Sequence, residues 1–378
     1  MRSSAVEVSL PDATCVREAG PADNDSLLEL TRACPMEGDI GLCVDRSPDF
    51  FRLCGLGNSS FRVGVVYGPD GALVGCATLA ERRAWVRGEP VRLAYASDLK
   101  VHPRYRGSGA APLLVRWVTE QSRDIVGDPG PILLTVLSGN RAMERLFAGD
   151  RDLPRIESFA TLRAHAVPVF HRPMPEPCFG VEPATPELHQ EMRALWNLRA
   201  PDRQLSPLRP LGLDVASGAR GTDLGTPRHF VARDAGGRVV GFLGLWDEHR
   251  VKQLRVTGYS VRLGAARTAI NLLAPFIGAE RLPGTGGILR SATVVDLCVP
   301  HDAPEMLRAL LLAANRAVLR SGVAFLTVGL DVRDPLNAAL QGLHAQPTDF
   351  LACASAAAGE YRGAPLGGRL VHFEPAMG

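Results

Sequence analysis

Two kinds of hydrophobic pattern succeed each other along the chain, in the same order twice. In the first half the β-branched run 63–67 (Val-Gly-Val-Val-Tyr) meets the turn Gly68-Pro69-Asp70-Gly71 and returns over residues 72–79. In the second half residues 230–233 (Phe-Val-Ala-Arg) meet Asp234-Ala235-Gly236-Gly237 and return over 238–245. Such runs around a glycine turn, which supplies positive φ, predict two hairpins. A central strand follows each, over 98–101 or 296–299. Then come a helix and a buried strand sharing the letters Leu-Thr-Val, at 134–136 and 326–328. A helix also stands ahead of each hairpin, over 25–34 and 186–199. Four elements recurring in one order outweigh chance likeness among short apolar runs, so the chain reads as a mixed α/β (α+β) unit repeated in tandem. Pro168, Pro173, Pro175 and Pro177 stand between the halves. Prolines this close suit neither a helix nor a central strand, which predicts an extended linker over 166–178 between domains 1–165 and 179–378.

Length and composition narrow the field without naming a chemistry. The 378 residues suit two domains of ordinary size. A formal net charge of +2 creates no long-range attraction for nucleic acid or an anionic membrane. No run is long and apolar enough to span a bilayer, and residues 1–13 lack the apolar core of a signal peptide. Eight cysteines lie far apart with no C-x-x-C pair, and nine histidines are scattered. The expectation is free thiols in a reducing cytoplasm and no metal site.

The informative stretch runs from Asp98 through Leu99, Lys100 and Val101 to the loop Arg104-Tyr105-Arg106-Gly107-Ser108-Gly109 and on into a helix. Pro103 forbids continuation of the strand. Leu114, Trp117, Val118 and Ile125 recur at helical spacing, and Pro112 falls in the first turn, where its missing N–H costs no bond. The free N–H groups at Gly107, Ser108, Gly109 and Ala110 then point outward. Glycine lets the backbone approach a bulky anion, the helix dipole favours negative charge, and Arg104 and Arg106 offer guanidinium donors to phosphate. The loop fails other phosphate-binding patterns: no Lys-Ser/Thr follows, and Pro112 stands at the third glycine of a dinucleotide fingerprint.

Arg104-x-x-Gly107-x-Gly109 between strand and helix resembles the acetyl-CoA signature of the GCN5-related N-acetyltransferases (GNAT). The resemblance covers most of residues 14–165, including the opening segment 16–23. It implies two GNAT folds, each a mixed, mostly antiparallel sheet flanked by helices. It further implies that the backbone of Leu99, Lys100 and Val101 pairs with the pantetheine of the coenzyme, and that Asn140, after the Leu-Thr-Val strand, contacts the coenzyme arm. The implied chemistry is direct attack of an amine on the thioester of acetyl-CoA or a close acyl-CoA, with no metal. Asp98, beside the expected thioester, is the first candidate for the base: poor hydration would raise its pKa. The alternative is that it faces the other way and holds a loop. Glu37 and Asp39 stand where the family gathers its acceptor-side loop, and read either as recognition of a cationic amine or as a solvated turn. Phe147 departs from the family, which often carries a proton-donating Tyr there. Tyr95 and Tyr105 are near in sequence, with nothing to fix their direction.

The second copy replaces the loop by Pro300-His301-Asp302-Ala303-Pro304-Glu305. It has no glycine, and two carboxylates stand in place of two arginines. Asp302 with Glu305 predicts a capping box that satisfies the N–H groups the first copy leaves free. This half is therefore expected not to bind coenzyme A. Its role reads either as a wall of the acceptor pocket or as an interaction module, for instance of a homodimer. Trp196, Trp246 and Tyr259 could line either surface, though large aromatics are more often core. The sequence thus predicts an N-acyltransferase acting on a primary amine of a small molecule. A protein lysine acceptor is the enzymatic alternative, and a non-catalytic acyl-CoA-binding scaffold the alternative of another class.

Overall fold

A computed structural model describes residues 14–127, 132–149, 153–173, 179–210, 212–213, 226–355 and 366–376. The first copy contains β1 (Arg17–Glu18), α1 (Asn24–Ala33), β2 (Ile40–Asp45), α2 (Phe51–Cys54), β3 (Ser60–Tyr67), β4 (Leu73–Val86) and β5 (Glu89–Val101). It continues with α3 (Ala110–Val126), β6 (Ile132–Leu137), α4 (Arg141–Gly149) and β7 (Ile156–Pro168). The second contains β8 (Gly180–Pro183), α5 (His189–Arg199), β9 (Arg228–Arg233), β10 (Val239–Trp246), β11 (Gln253–Tyr259) and α6 (Val261–Ile277). It closes with β12 (Ser291–Cys298), α7 (Pro304–Ala317), β13 (Phe325–Asp331) and β14 (Gln346–Ser355).

Twelve of these strands form one sheet in the order β1-β3-β4-β5-β6-β14-β7-β13-β12-β10-β9-β8, while β11 and β2 make a separate antiparallel ribbon. Read inward from its two ends, the order pairs β1 with β8, β3 with β9, β4 with β10, β5 with β12, and β6 with β13. The repeat seen in the sequence is thus a pseudo-two-fold relation, with β14 and β7 side by side at its centre. Every pairing in the large sheet is antiparallel except β5–β6 and β12–β13. The amphipathic faces explain the layering. On α3, Leu114, Trp117 and Val118 pack on Val66, Val74 and Leu79. On α7, Leu307, Leu310, Leu311 and Ala314 pack on Phe230, Val294 and Val328. Trp196 and Trp246 are core, and Tyr259 is half-buried.

The expected division into domains needs correction at the linker. Residues 166–168 are not a free connector: β7 runs through them, pairing with β13 from Pro168↔Phe325 to Leu162↔Asp331. Pro168 is tolerated because it ends the strand. Val169 N then donates to Ala324 O at 2.8 Å, and His171 N to Ile277 O at 2.7 Å. Residues 174–178 of the expected linker lie outside the described residues. The exchange is reciprocal, since β14 of the second half fills the slot between β6 and β7 of the first. Each copy completes its sheet with a strand from the other.

Candidate active site

The site begins where two parallel strands part. Between β5 and β6 the ladder covers only residues 94–96 against 132–134, and beyond it the strands diverge while β4 stays paired with β5 as far as Val101. The cause is a β-bulge. The register of β4 on β5 slips between Cys76↔Lys100 and Thr78↔Ser97, and Asp98 within it has φ +54°. A bulge bends its strand and strengthens local twist, which opens the edge toward β6. The second copy repeats the device. Asp296 has φ +52°, at a slip between Phe242↔Cys298 and Gly244↔Val295. The backbone of Leu99, Lys100 and Val101 therefore lies in the splay, where the family resemblance places a pantetheine.

The loop stands at the mouth of that opening. Gly107 and Gly109 have φ +86° and +89°, and a β-carbon at either would meet nothing within 4 Å. Glycine is thus required by the backbone conformation. Gly109 is the N-cap of α3 and contributes no side-chain cap, so the first-turn N–H groups keep their capacity to bind an anion. Ser108 Oγ is buried with no partner among the described residues, as an acceptor-rich ligand would require. Arg104 and Arg106 are both exposed beside it. These features fit a diphosphate. Asn140 caps α4, its Oδ1 accepting from Met143 N at 3.2 Å at the inner end of β6.

Asp98 requires a correction. Its carboxylate is buried and accepts from Arg46 Nη2 at 2.9 Å, Lys100 Nζ at 2.5 Å and Thr78 Oγ1 at 3.3 Å. Burial would raise its pKa, but the Arg46 and Lys100 charges together outweigh that and hold it well below the usual carboxylate range. A carboxylate so held has little tendency to accept a proton; Asp98 anchors the bulge instead. Arg46 stacks on Phe50, its guanidinium carbon 4.7 Å from the ring centre, and this ties α2 to the splay. We expect Arg46→Met to destabilise the fold by about 3 kcal/mol in urea titration, because it strands a buried charge that Lys100 alone must balance. Asp98 also sets a pH dependence. A pKa lowered by folding adds stability above the unfolded value, about 3.9, and loses it as pH falls toward the folded one. Asp98→Asn should therefore flatten the acid limb of the stability curve.

Neither nearby tyrosine is free to act as an acid. Tyr95 OH bonds Thr135 Oγ1 at 3.0 Å across the parallel pair, and the Arg82 guanidinium carbon lies 3.5 Å from the centre of its ring. Tyr105 OH donates to Asp70 Oδ2 at 2.7 Å in the β3–β4 turn. Phe147 is half-buried on α4. Burial pushes the thiol of Cys54 up to about 11 and that of Cys76, which donates to Asp98 O, up to about 12. Neither is a ready nucleophile. Glu37 and Asp39 are exposed just ahead of β2, and Asp39 O accepts from Ser260 N at 2.8 Å. The segment ahead of β2 is thus bonded to the second copy.

The second copy lacks the anion site for reasons only partly legible beforehand. The expected capping box is absent: Ala303 is the N-cap of α7, with φ −123° and no side-chain cap bond. The second splay is filled by the chain itself. Its carboxy-terminal segment runs along the splay of β12 and β13. Asp296 N donates to Glu374 Oε1 at 2.8 Å, and Val371 N to Asp331 Oδ2 at 3.0 Å. A β-carbon on Gly329 would stand 2.5 Å from Phe373 O. Asp296 bonds His229 Nε2 at 2.9 Å and Gly212 N at 2.8 Å, and burial raises its pKa, opposite to Asp98. Sequence reasoning missed Glu374 altogether. It is buried, Oε1 also accepts from His372 Nε2 at 3.1 Å, and Oε2 has no partner among the described residues.

A splayed parallel pair built twice on one sheet, with a glycine loop at a helix N-terminus in the first copy, defines a tandem acyltransferase-type fold. Residues 25–149 match the Acetyltransferase (GNAT) family. That match lies within the first copy, and the second copy repeats the same order of strands and helices. Solved structures agree on the fold. N-myristoyltransferase of Saccharomyces cerevisiae with bound myristoyl-CoA is 12% identical with a TM-score of 0.59, over 92% of this chain and 84% of that one. A GCN5-related N-acetyltransferase from Sphaerobacter thermophilus is 16% identical with a TM-score of 0.58, over 92% and 96%. The glucosamine N-acetyltransferase region of a fungal multi-domain β-N-acetylglucosaminidase is 15% identical with a TM-score of 0.57, over 91% and 38%. No curated protein matches the chain. Among the described residues no helix is long and apolar enough to cross a membrane, and no group of three His, Cys, Asp or Glu could hold a metal ion.

Proposed function

We propose that the first copy binds acetyl-CoA or a close acyl-CoA and transfers the acyl group to a primary amine of a small molecule in the cytoplasm. The observation that carries this reading is the loop: two left-handed glycines, an uncapped helix N-terminus and the unpartnered Ser108 Oγ stand at the mouth of the splay. Direct attack is favoured over an acyl-cysteine because Cys54 and Cys76 are protonated and buried. The amine nitrogen bonds the carbonyl carbon, the carbon–sulfur bond breaks, and the thiolate leaves to take a proton. Backbone N–H groups of the splay polarise the carbonyl.

Glu374 takes the place of Asp98 as candidate proton acceptor. A buried carboxylate oxygen without a donor costs about 1–3 kcal/mol, and an ammonium substrate supplies that donor. Glu374→Gln should lower kcat by about 100-fold, leaving coenzyme affinity intact. An unchanged kcat would remove Glu374 from the reaction. Thiol release from acetyl-CoA with a panel of small amines and a lysine peptide tests the activity, and longer acyl-CoAs define the donor. Phe147, where a proton-donating Tyr is common, favours a second reading as a non-catalytic acyl-CoA-binding protein. A rise in Tm with coenzyme A, but no thiol release with any amine, would select it.

A further inference from the structure

The connection from β10 to β12 carries an element that the first copy lacks. There β4 and β5 are joined at Arg87 and Gly88, with φ +58° and +86°; here residues 247–290 intervene and hold β11 and α6. One stripe anchors α6. Arg267 Nη1 donates to Pro283 O at 3.0 Å, Asn271 exchanges two bonds with the backbone of Leu282, and Ala274 is buried. The rest of its circumference is open and apolar. Val261 is 91% exposed, Phe276 87%, Leu272 68% and Leu273 60%, with Ile270 and Ile277 beside them. Together these side chains expose on the order of 700 Å², more than monomers usually leave in one patch and close to the roughly 800 Å² per partner of a standard interface.

We propose that this face is an isologous interface with a second copy of the chain, the two α6 helices packing antiparallel about a two-fold axis near Ala269. The distribution of side-chain size along α6 argues for this occupant. Gly264, Ala265, Ala266 and Ala269 occupy its first half, and Leu272, Leu273, Phe276 and Ile277 its second. In an antiparallel pair centred on Ala269, Leu273 faces the partner's Ala265 and Leu272 the partner's Ala266, so bulk meets space across the middle of the contact. A parallel pair sets large against large and leaves a gap between the alanines. Charge agrees. Arg262 falls beside the partner's Phe276 and the carbonyl end of its helix, where a cation is favoured. Arg262 is the single charge on this face, and a helix seated among lipid headgroups wants a strongly basic flank.

Sedimentation equilibrium of the full chain between about 1 and 100 μM tests the proposal. A mass of twice 40.5 kDa is expected. Phe276→Glu and Leu272→Lys should each raise the dimer dissociation constant at least 100-fold without changing the circular dichroism spectrum, since both side chains already face solvent in a monomer. Ala269→Cys should form an intermolecular disulfide under mild oxidation. Ala265→Cys should not, because its two copies lie about 12 Å apart along an antiparallel pair. A monomer at every concentration, or a dimer insensitive to both charged variants, overturns the proposal. So does flotation of monomeric protein with phosphatidylcholine–phosphatidylglycerol vesicles that Phe276→Glu abolishes, because a lipid surface then covers the helix. Crosslinking through Ala265→Cys with none through Ala269→Cys overturns the antiparallel register.

Discussion

Replacing Gly107 by glutamate is expected to abolish coenzyme A binding measured by calorimetry. Three effects act in one direction. The residue sits at φ +86°, where a β-carbon is strained. The new side chain enters the volume that the glycine leaves open for a ligand. Its carboxylate opposes a diphosphate by about a kcal/mol or more at a few ångströms, even with solvent screening. Removing the donors instead, with Arg104→Ala and Arg106→Ala together, should weaken binding by about 100-fold or more, because charge-assisted hydrogen bonds contribute about 1.5–3 kcal/mol each. The loss should shrink as salt rises, since both guanidinium groups are exposed. The matching experiment in the second copy is the control. Substitutions at His301, Asp302 and Ala303 should leave affinity unchanged, because the splay behind them holds the chain's own residues around Phe373 and Glu374. Equal losses at both places would defeat the assignment of a single site.

The first copy produced alone, as residues 1–178, is expected to aggregate or remain unfolded, with no thermal shift on adding coenzyme A. A conventional tandem protein would divide at its linker into two working domains; this one exchanges strands. Without β14, the edges of β6 and β7 that it pairs, including Leu133, Val136, Leu162 and Ala164, lose their ladder in the middle of the sheet. Two unpaired central edges template association with other chains, and the apolar side chains on them strengthen it. Ile132 N also loses Ser355 Oγ, and Arg163 loses the two-bond pair with Asp349 at 2.6 and 2.8 Å. Supplying residues 344–355 as a separate peptide should recover soluble protein. A monomeric, coenzyme-binding 1–178 fragment would show instead that the exchanged strand is dispensable.

The conformation of the loop was readable from sequence because local chemistry specifies it, whereas the capping box expected in its counterpart did not form. Glycines at Gly107 and Gly109, a proline in the first turn and flanking arginines act within a few residues of one another. The hairpins were readable for the same reason, since alternating apolar positions and Gly-containing turns are local signals. The candidate proton acceptor was not. The role expected of Asp98 rested on its place beside the splay and on poor hydration, and it is indeed buried. Its charge state was decided by Arg46, fifty-two positions away, and by Lys100, whose direction depends on the bulge. Glu374 could not be found from its neighbours either, because it reaches Asp296 only when the carboxy-terminal segment crosses the sheet.

The repeat, the fold class and the single glycine loop with flanking arginines follow from periodicity, turn residues and charge within short windows of sequence. Contacts across the folded chain set the rest: the halves exchange β7 and β14, Asp98 is an anchored anion, and residues 371–374 fill the second splay. Strand pairing and the electrostatics of buried groups depend on contacts between residues far apart in the chain, and no local pattern encodes which partner arrives.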